Sequence, residues 1–511
     1  MGKDQPDSEL VVALLHWPVV HGRVEDNRRE LLRLNRRAAE LGAQVIVNTE
    51  MGLTGYAFDS RSEIAPLVET GDGSSVTALA ELAREFELHL ALGLAERDPG
   101  NGAYHNSAVL LGPDGRIQAR RRKVTAEAKW ACPGAAIQSD CCDTPFGRLG
   151  LLICSETYFS LLPRVMALKG VDLLLTPANW PPTGLDPGQV WRGRALENGF
   201  HLAACNRSGL DKRMDCGQAR SHLFAPDGRD LLPDRPVEPG VYLARLPLKN
   251  GRLPRERRRR ILASRRPGEY HYLASQLNRV QDLTTFLELP PTGRLELHCL
   301  AGGEQPVLEL EALERLLPKV ADQARHLAVL PGAGWGRDAQ EGLLRLARAT
   351  GMDFLASLAG LGQESLPHHF APDASAPSLL GRQDQEPPFL DLGPARVGLA
   401  SARDLLHPEL ALALAKRGCD LVAVSAGRLE ADHLELLALR SLERVVVALA
   451  SVGAALVAVP PRGHDPVTLE RAAAGQACSF SLDTAQTRSK VYEELLDLPT
   501  LLASSSGELG A

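Results

Sequence analysis

The first half of the chain alternates short apolar runs with longer amphipathic stretches. Leu10–Trp17, Gln44–Thr49, Leu88–Leu94, Asn106–Leu111, Gly150–Ile153, Val171–Thr176 and His201–Cys205 have the length and composition of buried strands. Between them, Val24–Leu41 places Leu31, Leu32, Leu34 and Ala38 on one side and arginines on the other, which is the helical period. Val76–Phe86 and Val190–Asn198 also read as helices, and Gly112-Pro-Asp-Gly115 as a turn. The alternation predicts an α/β fold. In such folds ligands bind just past the ends of strands.

One run ends in an informative way. Arg148-Leu-Gly-Leu-Leu-Ile-Cys154-Ser-Glu156 passes from apolar residues to a cysteine and then to small and polar residues. A buried strand of that kind delivers a nucleophile to the rim of a sheet. A free cysteine usually just fills core, so the reading needs partners. Two are at hand: Glu50 ends the run Gln44–Thr49, and Lys123 follows the strand and turn of 104–115.

The second half repeats the pattern of the first. Arg148–Glu156 lies over Arg396–Asp404 without a gap, and Leu168–Asp172 over Lys416–Asp420 at the same offset. Upstream, Val45–Glu50 lies over Leu327–Gly332; downstream, His201–Gly209 lies over Ala455–Gly463. The repeat predicts an internal duplication, with a domain over 1–275, a linker over 276–292 and a second domain over 293–511. In that second copy Cys154 has become Ala402 and Glu50 has become Gly332, and no lysine occurs between Lys319 and Lys416. The copy keeps the hydrophobic pattern and loses the reactive groups, as a scaffold would.

Composition narrows the function classes. A chain of 511 residues exceeds the size at which one core keeps growing, in keeping with two domains. A net charge of -6 argues against a general nucleic-acid binder. The basic stretch 251–266 lacks interleaved aromatics and reads as a solvated arm or a subunit contact. No apolar run is long enough to span a bilayer, and the N-terminus lacks the layout of a signal peptide. Nine cysteines without a Cys-x-x-Cys pair make neither a disulfide nor a zinc framework, which points to a reduced cytoplasm. No metal-ligand cluster or phosphate-binding glycine loop is present, so no metal and no cofactor are expected.

Five blocks in order carry a family resemblance. Glu50 stands in Asn48-Thr-Glu50-Met-Gly-Leu-Thr-Gly-Tyr56, Lys123 in Arg121-Arg-Lys123, and Cys154 in Cys154-Ser-Glu156, with Arg164 downstream. Arg194-Ala-Leu-Glu-Asn198 and Asn206-Arg-Ser-Gly209 follow. Together they resemble the nitrilase superfamily of carbon–nitrogen hydrolases, over residues 9–275 and, as a degraded copy, over 293–480. The resemblance implies two tandem α-β-β-α sandwiches packed as an intramolecular pseudo-dimer, further oligomerisation remaining open. It also implies a Glu50-Lys123-Cys154 triad that cleaves a small amide through a Cys thioester.

In that scheme Glu50 takes the thiol proton, and Lys123 with the Ser155 backbone N–H holds the oxyanion. Glu127, in Glu127-Ala-Lys-Trp-Ala-Cys-Pro-Gly134, is the candidate second glutamate, although it follows Lys123 by only four residues. Ser155 stands where nitrilases usually carry tryptophan, which favours an amide over a nitrile. Nitrile or N-carbamoyl hydrolysis by the same triad, and a non-catalytic binding protein, are the alternatives. Trp130, Tyr158, Asn179 and Trp180 fall near the expected pocket mouth, where substrate binding and plain packing are equal readings. Glu156, Arg164, Glu197 and Arg207 read as structural ion-pair residues. The expected partner is a small-molecule amide, with no nucleic acid and no membrane.

Overall fold

The computed structural model describes residues 8–232, 237–303, 310–320, 324–332, 335, 339–358, 366–379, 388–461, 465–488, 490, 492 and 495–503. The reading of the N-terminus falls on residues 1–7, outside this set. The chain divides into two units, Met1–Ser264 with Leu495–Ala511, and Arg265–Glu494.

The first unit holds two sheets. One has the strand order Gly240–Leu248, Ser8–His16, Val45–Val47, His89–Arg97, Tyr104–Leu111, Ile117–Arg122. The other runs His222–Phe224, His201–Cys205, Leu173–Pro177, Gly147–Leu151, Cys141–Thr144. The central strands of both are parallel. Parallel strands are covered on both faces, which is why they appear in the sequence as continuous apolar runs rather than alternating ones. Helices Val24–Glu40 and Ser74–Glu85 cover the outer face of the first sheet, through Leu31, Leu34, Ala38, Leu79 and Leu82 against Ala13, Ile46, Leu90 and Val109. The inner face packs on the second sheet, and helices Leu161–Leu168 and Pro187–Asn198 belong to that second layer.

The strand expected over Gln44–Thr49 closes early, at Val47. The polar residues that follow find other partners. Asn48 bonds to Asn35 and the Ala91 carbonyl, and Thr49 donates to the Ala178 carbonyl of the second sheet at 2.6 Å. The chain is thereby turned across the gap between the sheets.

The basic stretch 251–266 differs from the solvated arm expected of it. Glu256–Ala263 is a helix, and Arg258 is buried. Arg255 and Arg258 both bind the sealed carboxylate of Asp172, at 2.8 and 2.6 Å. A buried charge needs a partner, and here the arginines supply it.

The second unit also holds two sheets. Their orders are Ser378–Leu379, Leu366–Phe370, Asp353–Leu358, Arg325–Val329, Arg294–Leu300, Ala477–Asp483, and Phe389–Leu392, Ala395–Ala400, Leu421–Arg428, Val446–Val452, Ala454–Val459, Thr468–Ala473. Leu295, Leu297, Val329, Val397, Ala423 and Val457 form the core between them. The match of His201–Gly209 to Ala455–Gly463 is displaced. Val446–Val452 pairs parallel with Leu421–Arg428, as His201–Cys205 does with Leu173–Pro177; Ala454–Val459 follows antiparallel. Two adjacent apolar runs of similar composition cannot be told apart by pattern, because pattern does not encode strand direction.

Among the described residues no helix is long and apolar enough to cross a membrane.

Candidate active site

Glu50 lies three residues past Val45–Val47, at a turn where Met51 takes a positive φ of 54°. Its backbone passes so close to the neighbouring strand that residue 93 has no room for a side chain. A Cβ there would sit 2.6 Å from the Thr49 carbonyl oxygen and 2.8 Å from the Glu50 Cα, so Gly93 is required by contact. The Asn179 Nδ2 donates to the Glu50 carbonyl at 2.7 Å, from just beyond Leu173–Pro177.

Lys123 directly follows Ile117–Arg122, and its ammonium bridges two carboxylates. Nζ lies 2.7 Å from Glu50 Oε1 and 2.6 Å from Glu127 Oε1, with all three side chains largely sealed from solvent. Asn106 Nδ2 donates to Glu50 Oε1 at 2.7 Å and to both oxygens of Glu127, and the Tyr56 hydroxyl donates to Glu127 Oε1 at 2.8 Å. The short spacing of Lys123 and Glu127 is therefore compatible with direct contact.

Cys154 stands three residues past Gly147–Leu151, buried, with φ at +45°. That left-handed backbone is uncommon for a residue with a side chain and costs about 1–3 kcal/mol. The surroundings hold it there. The Cys154 carbonyl accepts from Thr157 Oγ1 at 2.7 Å, which in turn accepts from Trp191 Nε1 at 2.9 Å. The Glu50 carboxylate and the Lys123 ammonium act on the thiol electrostatically, in opposite directions.

The electrostatics follow from burial and one shared cation. Desolvation raises the Cys154 thiol well above its ordinary value, and the Glu50 carboxylate raises it further. Burial also raises Glu50, against the pull of Lys123. Burial pushes Glu127 the same way, yet Lys123 and the donors around it bring it below the ordinary value. Lys123 is raised well above its own, because the two carboxylates outweigh desolvation. At rest the thiol keeps its proton, and a carboxylate of raised proton affinity stands beside it. Such an array suits general-base activation of a thiol.

The expected pocket residues are spread around this centre. Trp130 packs with Met51, Phe58, Ile64 and Ala95, beneath the loop that carries Tyr56. Tyr158 is half-buried, its ring edge-on to Phe159 at 5.3 Å and its carbonyl bound to Arg194. Trp180 is locked by two backbone bonds to the Asn206 side chain and meets Trp191 edge-on at 5.8 Å. Ser155 shares a hydroxyl contact of 2.8 Å with Thr125. Glu156, Glu197 and Arg207 pair with Arg121, Arg194 and Asp211, and Arg164 donates to the Glu197 carbonyl.

Two participants escaped the sequence reading. In the sequence Asn106 reads as part of an ordinary strand, and Tyr56 as a motif residue without a role. The available signal was a polar side chain inside an apolar run, which marks a buried group in need of partners. Among the described residues no group of side chains is arranged to hold a metal ion.

Residues 11–254 match the carbon–nitrogen hydrolase family. A nitrilase of Pyrococcus abyssi is 29% identical over 194 residues, spanning 37% of this chain and 71% of that protein. A human omega-amidase is 28% identical over 233 residues, spanning 42% of this chain and 82% of that protein. Among solved structures, a Saccharomyces cerevisiae member of branch 10 of the nitrilase superfamily is 20% identical, covering 51% of this chain and 96% of its own, with a TM-score of 0.45.

Proposed function

Because residues 11–254 belong to the carbon–nitrogen hydrolase family, we propose that this amidase-type hydrolase cleaves a small non-peptide amide through a thioester on Cys154. The observation that carries the reading is the Lys123 ammonium, held at 2.7 and 2.6 Å by two carboxylates beside a buried thiol.

The steps balance with the groups present. As the sulfur attacks the amide carbon, its proton passes to Glu50, and the carbonyl oxygen becomes an oxyanion stabilised by Lys123 and the Ser155 N–H. Collapse breaks the C–N bond while Glu50 protonates the departing nitrogen, and ammonia leaves. Water then attacks the thioester, giving its proton to Glu50. The acid departs, and the proton returns to sulfur. Glu127 keeps Lys123 in place and its charge balanced throughout. Catalysis of this kind needs proximity and a poised base more than any added group.

Turnover is assigned to the first unit. In the second, Ala402 and Gly332 stand at the positions matched to Cys154 and Glu50. Arg396 and Asp420 repeat the backbone bonds of Arg148 and Asp172, with N–Oδ2 distances of 2.9 and 2.8 Å. These matches support a duplicated fold that has lost its chemistry.

A nitrile is the second reading, favoured by the nitrilase of Pyrococcus abyssi among the relatives. The test is ammonia release from aliphatic amides, aromatic amides, ureido acids and nitriles, with Cys154→Ala beside the wild type. Release that the variant abolishes establishes the thiol route and identifies the substrate class. If no compound releases ammonia and mass spectrometry finds no acyl adduct on Cys154, the chain is a binding protein.

A further inference from the structure

We propose that Asn106 is a positioning residue that decides which oxygen of Glu50 receives the thiol proton, an inference that rests on the thiol mechanism above. A carboxamide has two N–H donors on one nitrogen, and a carboxylate oxygen has two lone pairs. Asn106 Nδ2 lies 2.7 Å from Glu50 Oε1, and 3.1 and 3.0 Å from the two oxygens of Glu127. Lys123 Nζ reaches Glu50 Oε1 and Glu127 Oε1 as well, at 2.7 and 2.6 Å. Glu50 Oε1 therefore accepts from two donors at once. Its other oxygen, Oε2, is buried and has no hydrogen-bond partner among the described residues.

The consequence is directional. Oε1 has both lone pairs engaged, so a proton arriving there must displace a donor. Oε2 has none engaged, and it takes the proton. Lys123 alone cannot enforce this arrangement, since the N–H it directs at Oε1 fills only one of that oxygen's two lone pairs. Asn106 supplies the second donor, and being neutral it adds no charge to the cluster. Its orientation is set by chemistry, because a rotated amide would turn Oδ1 toward two carboxylates. The same residue also places the lysine, since its backbone carbonyl accepts from the Lys123 N–H at 2.8 Å. The titratable groups acting around Glu50 are Lys123, Glu127, Tyr56, Cys154 and Cys216. Asn106 opposes the effect of burial on Glu50 by favouring its charged form.

The test needs no known substrate. Iodoacetamide alkylates a thiol with loss of iodide, and the thiol proton goes to the base, so the rate at Cys154 follows the ionisation of Glu50. Alkylation of Cys154 is followed by peptide mass spectrometry against pH in the full chain, for wild type, Glu50→Gln, Asn106→Leu and Asn106→Ser. Leucine has nearly the shape of asparagine without its donors, and serine retains one donor. We expect the acid limb to move up by about half to one pH unit in Asn106→Leu, the equivalent of one lost hydrogen bond. Asn106→Ser should fall between, and it carries the test alone should the leucine variant not fold. A limb that stays at the wild-type pH in the folded variants overturns the role of Asn106. If Glu50→Gln alkylates as fast as wild type, the general-base reading itself fails, which is a separate outcome.

Discussion

Glu156 and Arg121 form an ion pair sealed from solvent, with Nη2 and Oε1 2.8 Å apart. The carboxylate does more than neutralise the arginine. Its Oε1 accepts from the Val124 N–H at 2.9 Å and its Oε2 from the Ile153 N–H at 2.8 Å. Val124 follows Lys123, and Ile153 precedes Cys154. One buried side chain thus ties together the backbone on which two members of the proposed triad stand.

Removing it should cost both stability and geometry. Breaking a buried pair strands the remaining charge, a loss of about 3–5 kcal/mol. Arg121 keeps Asp140 at 2.8 Å, so Glu156→Gln should fall at the low end of that range. Denaturant unfolding of Glu156→Gln, Arg121→Met and the double variant measures this. A double variant less destabilised than the sum of the singles is the expected result.

The pH dependence follows from Glu50. Burial, opposed by Lys123, leaves its folded-state proton affinity raised, so the native chain holds this proton more tightly than the unfolded chain does. The stabilising contribution is therefore present at low pH and lost as pH rises through the folded-state value. Glu50→Gln, neutral at every pH, should melt above the wild type near pH 8. The gap should close as pH falls toward the ordinary glutamate value of about 4.3. On the proposed mechanism activity runs the other way, because the base must be ionised. The acid limb of the wild-type rate should lie above that ordinary value.

Gly93 should be intolerant of alanine for the sake of the site. The added Cβ would meet the Thr49 carbonyl oxygen at 2.6 Å and push the Glu50 backbone aside. A displacement of about 1 Å at a catalytic group costs on the order of 10²-fold in rate. Gly93→Ala is expected to lose activity, or Cys154 alkylation, out of proportion to its loss in melting temperature.

Asp172 should govern the basic helix Glu256–Ala263. Its carboxylate holds Arg255, Arg258 and the Arg148 N–H. In Asp172→Ala the helix loses its anchor, and trypsin should cut the segment 255–266 at once. The wild type should resist at the same enzyme ratio. Equal cleavage of both would show that other contacts hold the helix.

The sequence by itself determined the alternation of strands and helices, and it placed Glu50, Lys123 and Cys154 just beyond strand ends. It could do so because periodicity reports burial and a run that stops at a polar residue reports an edge. Only the tertiary structure decided which buried polar groups meet. Asn106 stands between Glu50 and Glu127, residues 56 and 21 positions away, and Arg255 and Arg258 reach Asp172 across 83 and 86. The direction of Val446–Val452 was settled the same way, by parallel pairing with Leu421–Arg428, and that of Ala454–Val459 by antiparallel pairing with Val446–Val452. A local pattern records that a side chain is buried. Its partner comes from an element distant in sequence, brought in by the packing of one sheet on another.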